Sequence, residues 1–195
     1  MHVGFIGLGN VGSKLAGSVI RNGMQLTVLD LDRKAAEPLL ASGAAFGDSP
    51  KQMAADCDVV VTCLPSPAAS AAVLEDENGV LAGLTKDTVW AEMSTTDEAE
   101  VLRLGEKVLA AGGHAVDCPV SGGCHRAATG NIAIFAGCSR ETFDRMLPIL
   151  TKMGRRVLHT GELGTASKLK VMTNYLATAN LLTLCEALVT SKAAA

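Results

Sequence analysis

At 195 residues the chain is long enough to bury one full core with little left over. Its 48% hydrophobic and 19% charged content is that of an ordinary soluble globular protein. A net charge of −3 without a basic stripe argues against a nucleic-acid partner.

The first element expected is a strand over the apolar run His2 to Ile6. Gly7-Leu8-Gly9-Asn10-Val11-Gly12 follows, then a helix over Ser13 to Arg21 ended by Asn22-Gly23. A second strand, Leu26 to Leu29, closes on Asp30, an acid 18 positions beyond Gly12. Strand, glycine turn, helix, strand and acid is the complete context of a dinucleotide-binding turn, whereas G-x-G-x-x-G alone is weak. Gly7 permits the tight turn, Gly9 lets a pyrophosphate approach the backbone, and Gly12 lets helix and strand pack. The helix N-terminus then faces the phosphates. Asp30 accepts from the ribose hydroxyls and repels a 2′-phosphate, favouring NAD over NADP, with Arg33 nearby as a countervailing cation.

Next come a short helix from Leu31 to Ala41, a brief strand Ala44 to Phe46, and a helix opened by Ser49-Pro50. The unalternating run Asp58 to Cys63 suits a parallel strand buried on both faces, and Pro67 starts the helix after it. Thr88 to Met93 is the fifth strand; Ser94-Thr95-Thr96-Asp97 caps a long helix that Gly112-Gly113 stops. Strands alternating with helices predict a doubly wound, mainly parallel Rossmann-type α/β sheet. Ligands in such sheets lie beyond the strands' carboxyl ends, so Gly7–Gly12, Leu64–Pro67, Ser94–Thr95 and Asp117–Gly123 are expected to converge there.

Beyond this the pattern reads as a strand from His114 to Asp117, a glycine-rich turn from Pro119 to Gly123, and a strand from Asn131 to Ala136. A helix over Arg140 to Leu150, a last strand Arg155 to His159, and a long helix from about Ala166 to the end complete the chain. Val171 to Cys185 carries no charge but is too short to span a membrane, and reads as a buried helix. Six cysteines without C-x-x-C pairing read as free thiols, and no metal is expected. A first strand starting at residue 2 leaves no room for a signal peptide, which with the thiols suggests the cytoplasm.

Proton transfer to or from a substrate hydroxyl needs a tunable acid/base. His2, His114 and His159 fall in or at the ends of strands and read as structural; His125 is a minor candidate. Lys170 shares a helix face with Asn174 one turn on, while Lys168 lies roughly 200° round the helix. Leu169, Val171 and Met172 flank Lys170, and desolvation lowers a lysine toward the range useful for proton transfer. Ser121-Gly122-Gly123 offers a hydroxyl and closely spaced N–H groups suited to a carboxylate, or else a plain turn between strands.

Together these segments resemble the β-hydroxyacid dehydrogenase family, which includes 3-hydroxyisobutyrate dehydrogenase and tartronate semialdehyde reductase. Gly7 to Ala16 resembles the family's cofactor signature, Asp117 to Gly123 with Ala127, Gly130 and Gly137 its substrate signature, and Gly161-Glu-Leu-Gly164 with Lys170 and Asn174 its catalytic signature. The resemblance implies Lys170 as general acid/base, with Asn174 and Ser121 completing the catalytic set. Ser121, Gly122 and Gly123 would bind substrate; Leu64, Pro65 and Thr95 would contact the nicotinamide half of the cofactor. It implies an NAD-dependent dehydrogenase or reductase of a small 3-hydroxy acid, with an imine or semialdehyde reductase or a non-catalytic dinucleotide-binding module as alternatives. Imine-reducing relatives commonly replace the lysine and favour NADP, so Lys170 and Asp30 count against them. Two residues depart from the pattern: Arg126 stands where relatives carry a small residue, and Ala166 where many carry glycine. His125 or Arg126 is accordingly expected to meet a second polar or anionic group on the substrate.

By this resemblance residues 1–163 form the NAD-binding domain. Residues 164–195 form an interdomain helix that begins an all-helical domain otherwise absent from this chain. Val171, Met172, Leu176, Leu181, Leu182 and Leu184 would then lack cover, which implies a homodimer or homotetramer through that helix, or a truncated chain.

Overall fold

The computed structural model describes residues 1–194; Ala195, the last residue of the expected 164–195 helix, lies outside the described residues. The first half alternates as read: β1 (His2–Ile6), α1 (Gly12–Arg21), β2 (Gln25–Leu29), α2 (Arg33–Ala41), β3 (Ala45–Phe46), α3 (Pro50–Asp56), β4 (Val59–Thr62), α4 (Pro67–Glu75). A four-residue helix α5 (Val80–Gly83), absent from the sequence reading, precedes β5 (Val89–Glu92) and α6 (Glu98–Ala110). The second half holds β6 (His114–Asp117), β7 (Val120–Ser121), α7 (Gly123–Ala128), β8 (Ala133–Gly137), α8 (Arg140–Met153), β9 (Arg156–Gly161) and α9 (Thr165–Ala193).

Strands β3-β2-β1-β4-β5-β6 run parallel in that order, the Rossmann arrangement. The β-branched runs are apolar on both faces because both faces are covered. Val3, Phe5, Val59 and Val61 point into one helix-covered core with Leu15, Val19 and Met146. Ile6, Val60 and Trp90 point into the other with Met53, Leu74, Leu104 and Val108. Trp90 is fully buried and its indole N–H donates to Thr62 Oγ1 at 2.8 Å, so the largest core ring keeps its polar atom satisfied.

Pro119–Gly123, read as a turn, is instead a continued strand and a helix start. β7 prolongs β6 past the sheet edge and pairs antiparallel with β8, Ser121 opposite Ala133. Gly122 and Gly123 (φ 132° and 77°) then swing the chain into α7, which the glycines had concealed. β9 runs parallel to β8 at the sheet's edge. Ala133, Phe135 and Gly137 alternate onto one face of β8. A Cβ at Gly137 would come within 2.9 Å of Thr165 Oγ1, so the first turn of α9 crosses that face.

Two boundaries shift for local reasons. α2 begins at Arg33 rather than Leu31, because Asp32 caps it by accepting from the Lys34 N–H at 3.0 Å. α8 runs through Pro148 to Met153. A third difference concerns α9. The stretch Val171 to Cys185, read as buried, lies largely exposed: Tyr175, Leu181, Leu182 and Leu184 are each at least 57% accessible. No described helix is long and apolar enough to cross a membrane.

Candidate functional site

The glycine turn is built as the spacing required. Gly7 has φ 95°, and a Cβ there would lie 2.4 Å from the Cys63 carbonyl oxygen at the end of β4. At Gly12 a Cβ would lie 2.0 Å from the Gly7 oxygen, so any side chain would force α1 off the turn. Gly9 is the opposite case: nothing lies within 4 Å of its missing Cβ. That leaves an open cradle over the first turn of α1, which no side chain caps. Leu8 is buried, Gly9 and Asn10 are exposed, and Val11 is half-buried. An open cradle over an uncapped helix start fits a dinucleotide pyrophosphate.

Asp30 stands at the end of β2. Its carboxylate is already engaged: Oδ2 accepts from the Leu8 N–H at 2.6 Å and Oδ1 from the Asp32 N–H at 2.9 Å. The residue therefore ties the glycine turn to the neighbouring strand end, and each oxygen keeps a lone pair for a ribose hydroxyl. Arg33 lies over the Phe46 ring, 4.3 Å from its centroid.

The other three stretches do converge, because β1, β4, β5 and β6 are consecutive neighbours. The Leu64 N–H donates to Ser94 Oγ at 2.8 Å, joining the loop of Leu64 and Pro65 to that of Thr95. Leu64 is half-buried while Pro65 and Thr95 are exposed toward the edge. Beneath them is Glu92, which the sequence reading missed. It is buried, its Oε1 accepts from the Ser94 N–H at 2.8 Å, and its Oε2 and the nearby Ser70 hydroxyl have no partner. Burial raises the Glu92 carboxyl above the usual range, and the hydrogen bonding of Ser94 opposes that rise. The signal available was an acid closing the otherwise apolar strand run Val89–Ala91.

A second buried carboxylate joins the two halves of the site. Asp117, at the end of β6, accepts from both the N–H and the hydroxyl of Ser167 at 2.7 Å. Both residues are buried. The clamp pins the first turn of α9 to the strand that continues to Ser121. Lys170 follows one turn later, half-buried, and its desolvation lowers the ammonium below the ordinary lysine value. Lys168 turns away to pair with Glu98 at 2.9 Å, as helical spacing required. Asn174 is exposed one turn beyond Lys170; Ser121 is half-buried, and Gly122 and Gly123 are exposed.

His2 bonds the Asp56 carbonyl and Thr27, and His159 bonds the Cys138 carbonyl and packs on Phe143, while His125 is exposed on α7. All six cysteines are free, and burial pushes the thiols of Cys57, Cys63 and Cys138 up to about 12. No group of potential metal ligands occurs among the described residues.

Residues 2–161 match the NAD binding domain of 6-phosphogluconate dehydrogenase. The chain belongs to the β-hydroxyacid dehydrogenase family. Among its relatives in that family, 2-(hydroxymethyl)glutarate dehydrogenase of Eubacterium barkeri is 31% identical over 97% of this chain and 63% of its own length. The 3-sulfolactaldehyde reductase of Escherichia coli is 34% identical, over 95% and 64% respectively. Mycobacterium tuberculosis 3-hydroxyisobutyrate dehydrogenase, solved with L-serine, superposes with a TM-score of 0.92 at 28% identity, covering 98% of this chain and 66% of that one. The chain thus spans just under two thirds of the length of these family members.

Proposed function

We propose that this chain is the cofactor-binding and proton-transfer part of an NAD-dependent dehydrogenase or reductase of small 3-hydroxy acids. The observation that carries the reading is the Asp117–Ser167 clamp, which ties the helix of Lys170 to the strand leading into the Ser121 turn. The relatives named above supply the substrate class: their names specify a hydroxymethyl diacid, a sulfonated aldehyde and a hydroxy acid.

Bound NAD would lie over Gly7–Gly12 and supply the hydride acceptor or donor. Asp30 accepts from its ribose hydroxyls, and two carboxylates, Asp30 and Asp32, disfavour the 2′-phosphate of NADP. Arg33, three residues after Asp30, stacks on the Phe46 ring and is a cation that opposes this preference. Leu64, Pro65 and Thr95 border the nicotinamide end. Ser121 and the N–H groups of Gly122 and Gly123 hold the substrate carboxylate. In the oxidative direction the neutral Lys170 amine takes the proton of the substrate hydroxyl. In the reductive direction its ammonium returns that proton to the carbonyl oxygen, and Asn174 orients the same oxygen. Residues 1–163 act as the nucleotide domain. α9 leads into a helical domain or a partner copy that covers its apolar face in a cytoplasmic homodimer or homotetramer.

The test is a panel of 3-hydroxy acids and their aldehydes with NAD and NADP, comparing the full-length parent with Lys170→Ala. Turnover with NAD that the variant loses, at unchanged NAD affinity, supports the reading. A parent that binds NAD but turns over no member of the panel refutes it in favour of a non-catalytic dinucleotide-binding module.

A further inference from the structure

Eight arginines occur in the chain, and among the described residues five have a partner. Arg21 donates to Ser18 and the Ala128 carbonyl, Arg33 lies on Phe46, Arg103 pairs with Glu75 and Glu100, Arg140 with Asp144, and Arg145 donates to the Asp87 carbonyl. The remaining three, Arg126, Arg155 and Arg156, have no side-chain acceptor and converge, with Asn131 and Ala133, around one hollow of about 380 Å³. All three are exposed to solvent and line the hollow without a protein acceptor, and each guanidinium fork matches a carboxylate, sulfonate or phosphate.

The register places this hollow. Ala133 is paired with Ser121 on one side and Arg156 on the other. Directly opposed residues share a sheet face, so Ser121, Ala133 and Arg156 form one row across three strands. It lies on the face that Gly137 presents to the start of α9. Two strand spacings, about 10 Å, separate the Ser121 and Arg156 backbones, with only the alanine methyl between. Arg126 forms the other wall: its Cδ lies 2.9 Å from where a Cβ on Gly122 would stand.

We propose that this arginine hollow is an anion subsite that holds the distal acid group of a substrate whose first carboxylate rests on the Ser121–Gly123 turn. The inference rests on the 3-hydroxy acid reading and narrows it to dianionic substrates. Only Arg126 was marked by its own sequence position; Arg156 joins it through the pairing of β9 with β8, and Arg155 precedes that strand with its N–H on the Ile132 carbonyl.

Two measurements test it. In the first, inorganic sulfate is titrated into the protein while the arginine Nε–H signals are followed by NMR. Arg126, Arg155 and Arg156 are expected to shift together, and Arg155→Ala/Arg156→Ala to weaken sulfate binding about tenfold or more. In the second, a 3-hydroxy diacid is compared with the monoacid sharing its reacting end. The parent is expected to prefer the diacid at least about tenfold in kcat/KM, with sulfate competing against the diacid. The double alanine variant loses that preference while keeping its monoacid kcat/KM within about twofold, and Arg155→Lys/Arg156→Lys restores part of it. Unmoved arginine signals, an unaltered diacid preference in the variant, or sulfate that fails to compete with the diacid would each overturn the subsite. If sulfate binds as described but the parent oxidises no 3-hydroxy acid, the dehydrogenase reading and the substrate subsite fall together. If the monoacid is turned over and the diacid gains nothing, only the subsite falls.

Discussion

Asp117→Ala removes the one acceptor shared by the N–H and hydroxyl of Ser167, each 2.7 Å away and buried. Leaving a buried donor unmade costs about 1–3 kcal/mol. The loss of a desolvated carboxyl offsets part of that, since burial raises the Asp117 carboxyl above its usual range. A net destabilisation of about 2–4 kcal/mol is expected, which for a chain of this size lowers Tm by roughly 4–16 °C. Asp117→Asn keeps the shape. Its amide oxygen accepts from the Ser167 N–H and its NH₂ donates to the Ser167 hydroxyl, so its stability should stay within about 1 kcal/mol of the parent. Thermal unfolding followed by circular dichroism reads both. Because the clamp positions Lys170, the alanine variant should lose kcat with little change in NAD affinity, and the asparagine variant should recover most of it. An alanine variant that melts with the parent would refute the structural argument. One that melts early yet keeps full kcat would refute the link to Lys170.

Three further outcomes follow from other parts of the site. Lys170→Ala should lower kcat about 10²–10⁴-fold, and the parent's oxidation rate should rise with pH through an inflection below the ordinary 10.5, as steady-state pH profiles would reveal. Glu92 binds its proton more tightly folded than unfolded, so stability falls as pH rises from 4.5 through the raised value. Glu92→Gln, with no proton to lose, should flatten urea-unfolding stability over that window and match or exceed the parent at neutral pH; parallel curves would count against a buried neutral acid. Gly9→Ala places its methyl in open space and should leave Tm unchanged while weakening NAD binding. Gly12→Ala, 2.0 Å from the Gly7 oxygen, should cost both, as calorimetry and NAD titration can separate.

What the chain alone made legible is what depends on near neighbours in sequence. The β1–glycine turn–α1–β2–Asp30 unit, the helix starts at Ser49-Pro50, Pro67 and Ser94–Asp97, and the shared face of Lys170 and Asn174 all follow from spacing, because turns, caps and helix faces are settled within a few residues. The parallel run of the strands followed from strands alternating with helices, while the order β3-β2-β1-β4-β5-β6 came from the structure. What only the tertiary structure decided depends on partners far along the chain. The bond from Ser167 to Asp117 spans 50 residues, and no local pattern marks a serine as the anchor of the helix that carries the lysine. Glu92 looked like an ordinary strand-end acid until neighbouring strands buried it without a cation. Ser121, Ala133 and Arg156 became one row only through strand pairing, and α7 emerged where two left-handed glycines had resembled a simple turn. The exposure of α9 belongs to the same class, since the apolar stretch Val171 to Cys185 reads alike in sequence whether or not anything packs against it.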